Sequence, residues 1–235
     1  MTELLQGFRQ AIALILSFDP VLYEIIVFSL VVSGIALAIS TLVGLPLGVV
    51  LGLRRFFGRR LATALVYTGM GFPPVVIGLF VYLMLSRSGP LGTLGWLFTP
   101  SAIIVAQVII SLPLVAGFTM AAVMGVDPNL RQQLMSLGAT DWQTILATLV
   151  EARVGVIVSI VAGFGAVISE VGAVILVGGN IEGKTRTLTT AIVLETHKGN
   201  FDLAIALGII LIFITFLINL ILMRFQGSSM EARLR

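Results

Sequence analysis

Residues Leu130–Val156, LRQQLMSLGATDWQTILATLVEARVGV, form a polar helix-turn-helix pattern set between segments apolar enough to live only in lipid. Asp127-Pro128 supplies the start, because an aspartate can accept orphan backbone N–H groups and proline fits the first helical position. Gly138 stops the first helix, since glycine tolerates the left-handed conformation that ends one. Thr140-Asp141-Trp142-Gln143 then has the form of a capping box opening a second helix. The spacing predicts two short helices hinged at Gly138 within a loop covering residues 127–156.

Composition says what surrounds this loop. Hydrophobic residues make up 58% of the 235-residue chain and charged ones 11%, too little polar surface to cover a water-soluble fold of this size. The uncharged runs are Ile25–Leu53, Leu61–Ser86, Ser88–Val126, Val154–Ser169 and Leu203–Met223, with Glu170 interrupting the fourth before it continues apolar to Val177. A bilayer core needs about 20 apolar residues per helix, so the expected fold is an all-α integral membrane protein of about five spans in one domain, 1–235. Cysteine is absent, which removes disulfides, thiol catalysis and cysteine metal sites. His197 has no second imidazole to join it as a ligand, and no metal site is expected. The net charge of +3 comes from arginines flanking spans rather than from a nucleic-acid surface.

Those arginines set the orientation, because cytoplasmic loops carry the Lys/Arg excess. Arg54, Arg55, Arg59 and Arg60 make the loop after the first span cytoplasmic. Alternation puts Arg131 and Arg153 on the same side, with Arg224, Arg233 and Arg235 at a cytoplasmic C-terminus, and the N-terminus outside. In residues 1–20, Leu4, Leu5, Phe8, Ala11, Ile12, Ile15 and Leu16 recur at helical spacing and Asp19-Pro20 ends the pattern. This predicts a helix lying on the outer interface, too short to span and without the basic start of a signal peptide.

Within the spans, Gly71-Phe72-Pro73-Pro74-Val75-Val76-Ile77-Gly78 predicts a real discontinuity, since adjacent prolines cannot sit in an unbroken helix interior. Gly44, Pro46, Gly48, Gly52, Pro113 and Gly117 allow either close helix packing or bends facing a pathway. Glu170, in Ile168-Ser169-Glu170-Val171-Gly172-Ala173, is the acidic residue deep in a span. It is open to two roles, a gate or a protonated or backbone-paired carboxyl that fixes the packing of the fourth span.

The run from the polar helix through Leu137-Gly138-Ala139-Thr140 and Trp142 to Thr148-Leu149 and Ala152-Arg153-Val154-Gly155 resembles the cytoplasmic EAA loop of ABC-importer permeases. Where the family has Glu-Ala-Ala this chain has Gln132-Gln133-Leu134, and the family's proline position is Val150. Gly71–Gly78, Ser169–Ala173 and Gly178–Gly199, GGNIEGKTRTLTTAIVLETHKG, within the expected extracytoplasmic loop 178–200, are similar to the tungstate-type members. The resemblance implies a permease of the prokaryotic cytoplasmic (inner) membrane with no catalytic site or cofactor of its own. Its implied partners are a second permease copy, a cytoplasmic ATPase dimer carrying ATP and Mg, an extracytoplasmic substrate-binding protein and lipid.

Under that resemblance, Gln132, Gln133, Met135, Ser136, Leu137, Gly138, Ala139, Thr140, Asp141 and Trp142 are the expected ATPase-coupling residues. Pro73, Pro74, Ser169, Glu170, Asn180, Thr185, Arg186, Thr187, Thr189 and Thr190 are the expected pathway or gate residues, for tungstate first and molybdate next. The residues agree with an anion: Lys184, Arg186 and Lys198 bias the outer entrance positive, and the threonines offer hydroxyls, although Lys198 also fits an interfacial anchor. Gly178-x-x-x-x-Gly183-Lys184-Thr185 matches the phosphate-cradling Walker A pattern, but it follows a span and is expected outside, with no nucleotide-binding domain after it. An ion-coupled secondary transporter is the competing class, with Glu170 as its proton carrier.

Overall fold

The structure, a computed structural model, describes residues 19–230 continuously and scattered positions before residue 18. The expected interfacial helix over residues 1–20 falls largely outside the described residues. Every regular element described is helical: α1 Pro20–Leu53, α2 Arg59–Met70, α3 Pro74–Leu85, α4 Pro100–Met124, α5 Pro128–Ser136, α6 Asp141–Glu151, α7 Arg153–Ile168, α8 Gly172–Gly178, α9 Leu188–His197 and α10 Phe201–Met230, plus a 3-10 turn at Gly92–Leu94. Helices α1, α4 and α10 are long and apolar enough to cross a membrane, and there are up to five crossings if the bent pairs α2/α3 and α6/α7 each count as one.

Proline does not break these helices wherever it occurs. Pro46 and Pro113 lie inside continuous α1 and α4, a tolerance expected where neighbouring helices can satisfy freed backbone groups. The tandem Pro73-Pro74 does separate two helices: Pro73 is extended and Pro74 occupies the first turn of α3. A second break, at Ser169–Val171, divides α7 from the seven-residue α8. It falls where the fourth apolar run reads as continuing to Val177 past a single charge.

The contacts gather into two compact units. The first unit comprises Met1–Ala36, Phe72–Ile110 and Gly165–Ile218. Its core joins Val32, Ile77, Val81, Ile103, Ala173 and Val177 from α1, α3, α4 and α8. Close approach of α3 to α8 requires glycine, since a Cβ on Gly78 would lie 2.5 Å from Ala173 Cα, with backbone that cannot give way. Leu22, Leu188, Ala191, Leu207 and Ile210 join α1, α9 and α10 in a second cluster.

The second unit comprises Leu37–Gly71, Ser111–Phe164 and Asn219–Arg235. Gly44, Gly48 and Gly52 recur every fourth residue along α1 and face α4, and a Cβ on Gly48 would lie 2.5 Å from Ala116 O. Packing is therefore the use of these glycines. Leu51, Val66, Ala116 and Met120 fill the core beside them, while Val49, Val123 and Ala152 bring in the junction between α6 and α7. Buried hydroxyls bond between helices, Ser40 to Ser111 at 2.6 Å and Thr119 to Ser159 at 3.0 Å, as polar groups in lipid must.

Candidate coupling loop and broken-span site

The polar loop of the second unit is built from local rules. Asp127 caps α5 by accepting from Asn129 N–H at 2.9 Å, with Pro128 at the first helical position. Gly138 has φ +84°, and Ala139 N–H returns to Leu134 O at 3.0 Å, the backbone reversal that ends a helix on a left-handed residue. Nothing lies within 4 Å of a Cβ added at Gly138, so conformation rather than space demands glycine. Thr140 and Gln143 close the capping box: Gln143 N–H donates to Thr140 Oγ1 at 3.3 Å and Thr140 N–H to Gln143 Oε1 at 2.8 Å.

Burial sorts the loop into a held face and a free one. Thr144 and Thr148 are buried and donate back to the carbonyls of Thr140 and Thr144. Leu137 is 84% exposed and Trp142 66%, and Met135 is also exposed, an apolar group at the turn that the chain itself does not cover. Gln132, Gln133, Ser136, Thr140 and Asp141 are exposed around it and Ala139 is half-buried. At the end of α1, Arg54 pairs with Asp141 at 3.0 Å, and Arg131 donates to Leu53 O at 3.1 Å. In the sequence both arginines read as inside-facing charge; in the fold they tie the loop to the end of α1. Arg54 carries a local signal, its place just past the C-terminal end of α1, where a cation is favoured; Arg131 carries none, because Leu53 lies 78 residues away in the chain.

The first unit holds the other candidates. Glu170 is buried, its Oε1 accepts from Ala173 N–H at 2.8 Å, and its carbonyl accepts from Thr189 Oγ1 at 2.9 Å. The carboxyl thus caps the start of α8 at the break. Ser169 beside it is exposed and donates to Gly165 O at 2.6 Å. Pro73 and Pro74 open α3, which packs on α8.

The threonines expected to present hydroxyls outward are buried, and each hydroxyl bonds to the protein. Thr185 Oγ1 donates to Gly178 O at 2.6 Å and accepts from Ile181 N–H at 2.9 Å. Thr187 and Thr190 form a second capping box at the start of α9, and Thr189 holds the Glu170 carbonyl. Asn180, at φ 50°, donates to Thr190 O at 3.3 Å. Arg186 pairs with Glu182 at 3.2 Å, whereas Lys184 is exposed. The N–H groups of Lys184, Thr185 and Arg186 converge on Ile181 O, so the Walker-like spacing forms a turn around its own carbonyl rather than an open phosphate cradle.

At the end of α9, Glu195 accepts from Lys198 Nζ at 2.8 Å and Asn200 Nδ2 at 2.7 Å. The Asn200 hydrogen bond and then that of Lys198 hold its carboxyl below the ordinary glutamate range, against the opposing effect of burial.

Comparison with known proteins gives this geometry a context. Residues 44–229 match the model of the family described as binding-protein-dependent transport system inner membrane component. A "probable anion ABC transporter permease protein" of Haloferax volcanii is 45% identical, with 88% of this chain and 92% of that protein covered. The "tungstate uptake system permease protein TupB" of Peptoclostridium acidaminophilum is 40% identical, covering 96% of this chain and 99% of the relative. In fold the chain is similar to an inward-facing structure of the MetNI methionine ABC transporter, with a TM-score of 0.73 at 18% identity, covering 89% of this chain and 96% of that one.

Proposed function

The chain belongs to the family of binding-protein-dependent transport system inner membrane components, and from that premise we propose that it is the permease subunit of an ATP-driven importer passing a tetrahedral oxyanion, tungstate first, into the cytoplasm. The observation that carries the reading is the capped turn Leu137–Trp142, apolar at its tip and tied to the end of α1 by Arg54 and Arg131. An exposed Trp and Leu on a rigid turn suit a pocket on a partner, and the partner is the ATPase that binds ATP and Mg. Closure of two ATPases moves two such loops, and the Asp141 and Arg131 contacts pass the movement to α1. A second permease copy supplies the other wall of the pathway, and a binding protein delivers the anion from outside.

In this reading the loop 127–156 and the C-terminus face the cytoplasm and the loop 178–200 faces out. The breaks at Pro73-Pro74 and Ser169-Glu170 lie beside the pathway. Asn180, Thr185, Thr187, Thr189 and Thr190 serve it by shaping the outer loop, which keeps Lys184 at its surface and holds the mostly buried Arg186 against Glu182. Tungstate is favoured by the likeness to a tungstate uptake permease along nearly the whole chain. Molybdate is the second cargo, because both ions are divalent and tetrahedral and a binding protein can make the distinction. Radiolabelled uptake into proteoliposomes holding permease, ATPase and binding protein tests the reading, with tungstate, molybdate and sulfate in competition. Uptake that requires ATP and is displaced best by tungstate is expected. Uptake driven by an ion gradient without the ATPase would overturn it in favour of a secondary transporter.

A further inference from the structure

At the end of α1 the arginines outnumber the acids that could neutralise them. Arg59 Nε donates to Leu51 O at 2.7 Å and Arg131 Nη1 to Leu53 O at 3.1 Å, so both guanidiniums are held by neutral carbonyls. Among the described residues, neither these two nor Arg55 has a carboxylate within ion-pair distance; Arg54 is paired, to Asp141. Arg54, Arg55, Arg59 and Arg131 line a cavity of about 550 Å³. Asp127 also lines it, capping α5 through one oxygen, so a single lining carboxylate faces four lining arginines. Arg59 and Arg131 are half-buried there, and a partly desolvated cation without an ion-pair partner is costly. Their remaining N–H donors form planar forks matched to the paired oxygens of a phosphate-like anion.

We propose that this cavity binds a phosphate-like oxyanion group through Arg55, Arg59 and Arg131. Two sources present that chemistry, a free inorganic oxyanion and the phosphodiester of an anionic lipid headgroup. The site stands on its own geometry, whatever the cargo.

The permease–ATPase complex in phosphatidylcholine nanodiscs, without binding protein, is titrated with inorganic phosphate and with tungstate by calorimetry. The same complex taken from membranes containing phosphatidylglycerol is weighed intact by native mass spectrometry. Arg55→Glu reverses a lining charge on an exposed side chain, and Arg60→Glu, in the same segment but outside the cavity lining, is the matched control. A loss of oxyanion affinity of about tenfold or more in Arg55→Glu alone assigns the cavity to a free anion. Loss of bound phosphatidylglycerol in Arg55→Glu alone assigns it to the headgroup. Equal behaviour of the two variants in both measurements overturns the proposal. So does a wild-type complex that holds neither ligand, which gives the cavity to the docked ATPase. Neither readout is transport, so failure here and failure of the importer reading are distinguishable.

Discussion

Single residues carry two opposite kinds of constraint in this chain. Gly138 has open space around its Cα and is demanded by its positive φ. An L side chain there costs about 1–2 kcal/mol of left-handed strain, concentrated in the turn that presents Leu137 and Trp142. Gly138→Arg should therefore abolish ATP-driven uptake while the protein still inserts in the membrane, measured by uptake alongside immunoblot of the membrane fraction. Wild-type uptake by that variant removes the coupling role from the loop. Glu195 is constrained instead by its partners, Asn200 and Lys198. Because its folded pKa is depressed, its contribution to stability is full above the unfolded value of about 4.3 and is lost as pH falls through the folded value. Thermal melting of the wild type and Glu195→Gln should differ at pH 7 and converge toward acid; a constant gap across that range would refute the assignment.

At the scale of elements, the loop 178–200 decides whether its threonines are ligands or fasteners. Thr185 Oγ1 bridges Gly178 O and Ile181 N–H in a buried turn, and losing it leaves backbone groups unpaired. Thr185→Val should lower stability by about 1–3 kcal/mol and reduce uptake as a consequence of a loosened loop. The check is a melting curve beside an uptake rate: reduced uptake with an unchanged melting temperature means the hydroxyl acts on the anion itself. Glu170 belongs to the same scale. Its carboxyl caps α8 and its carbonyl receives Thr189, so it joins the start of one short helix to the start of another, α9.

At the scale of the whole molecule, the proposed topology puts the loops 127–156 and 178–200 on opposite sides of the membrane. The chain contains no cysteine, so single cysteines can be introduced without a prior cysteine-free background. Leu137 and Lys184 are both exposed, one on each loop at issue. In right-side-out vesicles a membrane-impermeant maleimide should label Lys184→Cys and leave Leu137→Cys unlabelled, with the pattern reversed in inverted vesicles. Labelling of both positions from one side would defeat the proposed topology, and the positive-inside assignment with it.

The helical membrane fold and the form of the polar loop were legible in composition and local order. Bilayer crossing depends on composition over a run, and capping depends on residues three or four apart, so Asp127, Gly138 and the Thr140–Gln143 box were legible from local order alone. The tandem prolines announced their break for the same reason. Tertiary structure decided what neighbours far along the chain made possible. The break after Ile168 exists where Glu170 caps α8 and Gly78 lets α3 pack against that helix, a contact no local pattern encodes. Arg54 after α1 and Arg131 on α5 became loop anchors because the fold brought Asp141 and the Leu53 carbonyl within their reach. The threonines turned inward because buried carbonyls and N–H groups in a lipid-facing fold must find partners within the protein, and the folded chain determines which partners those are.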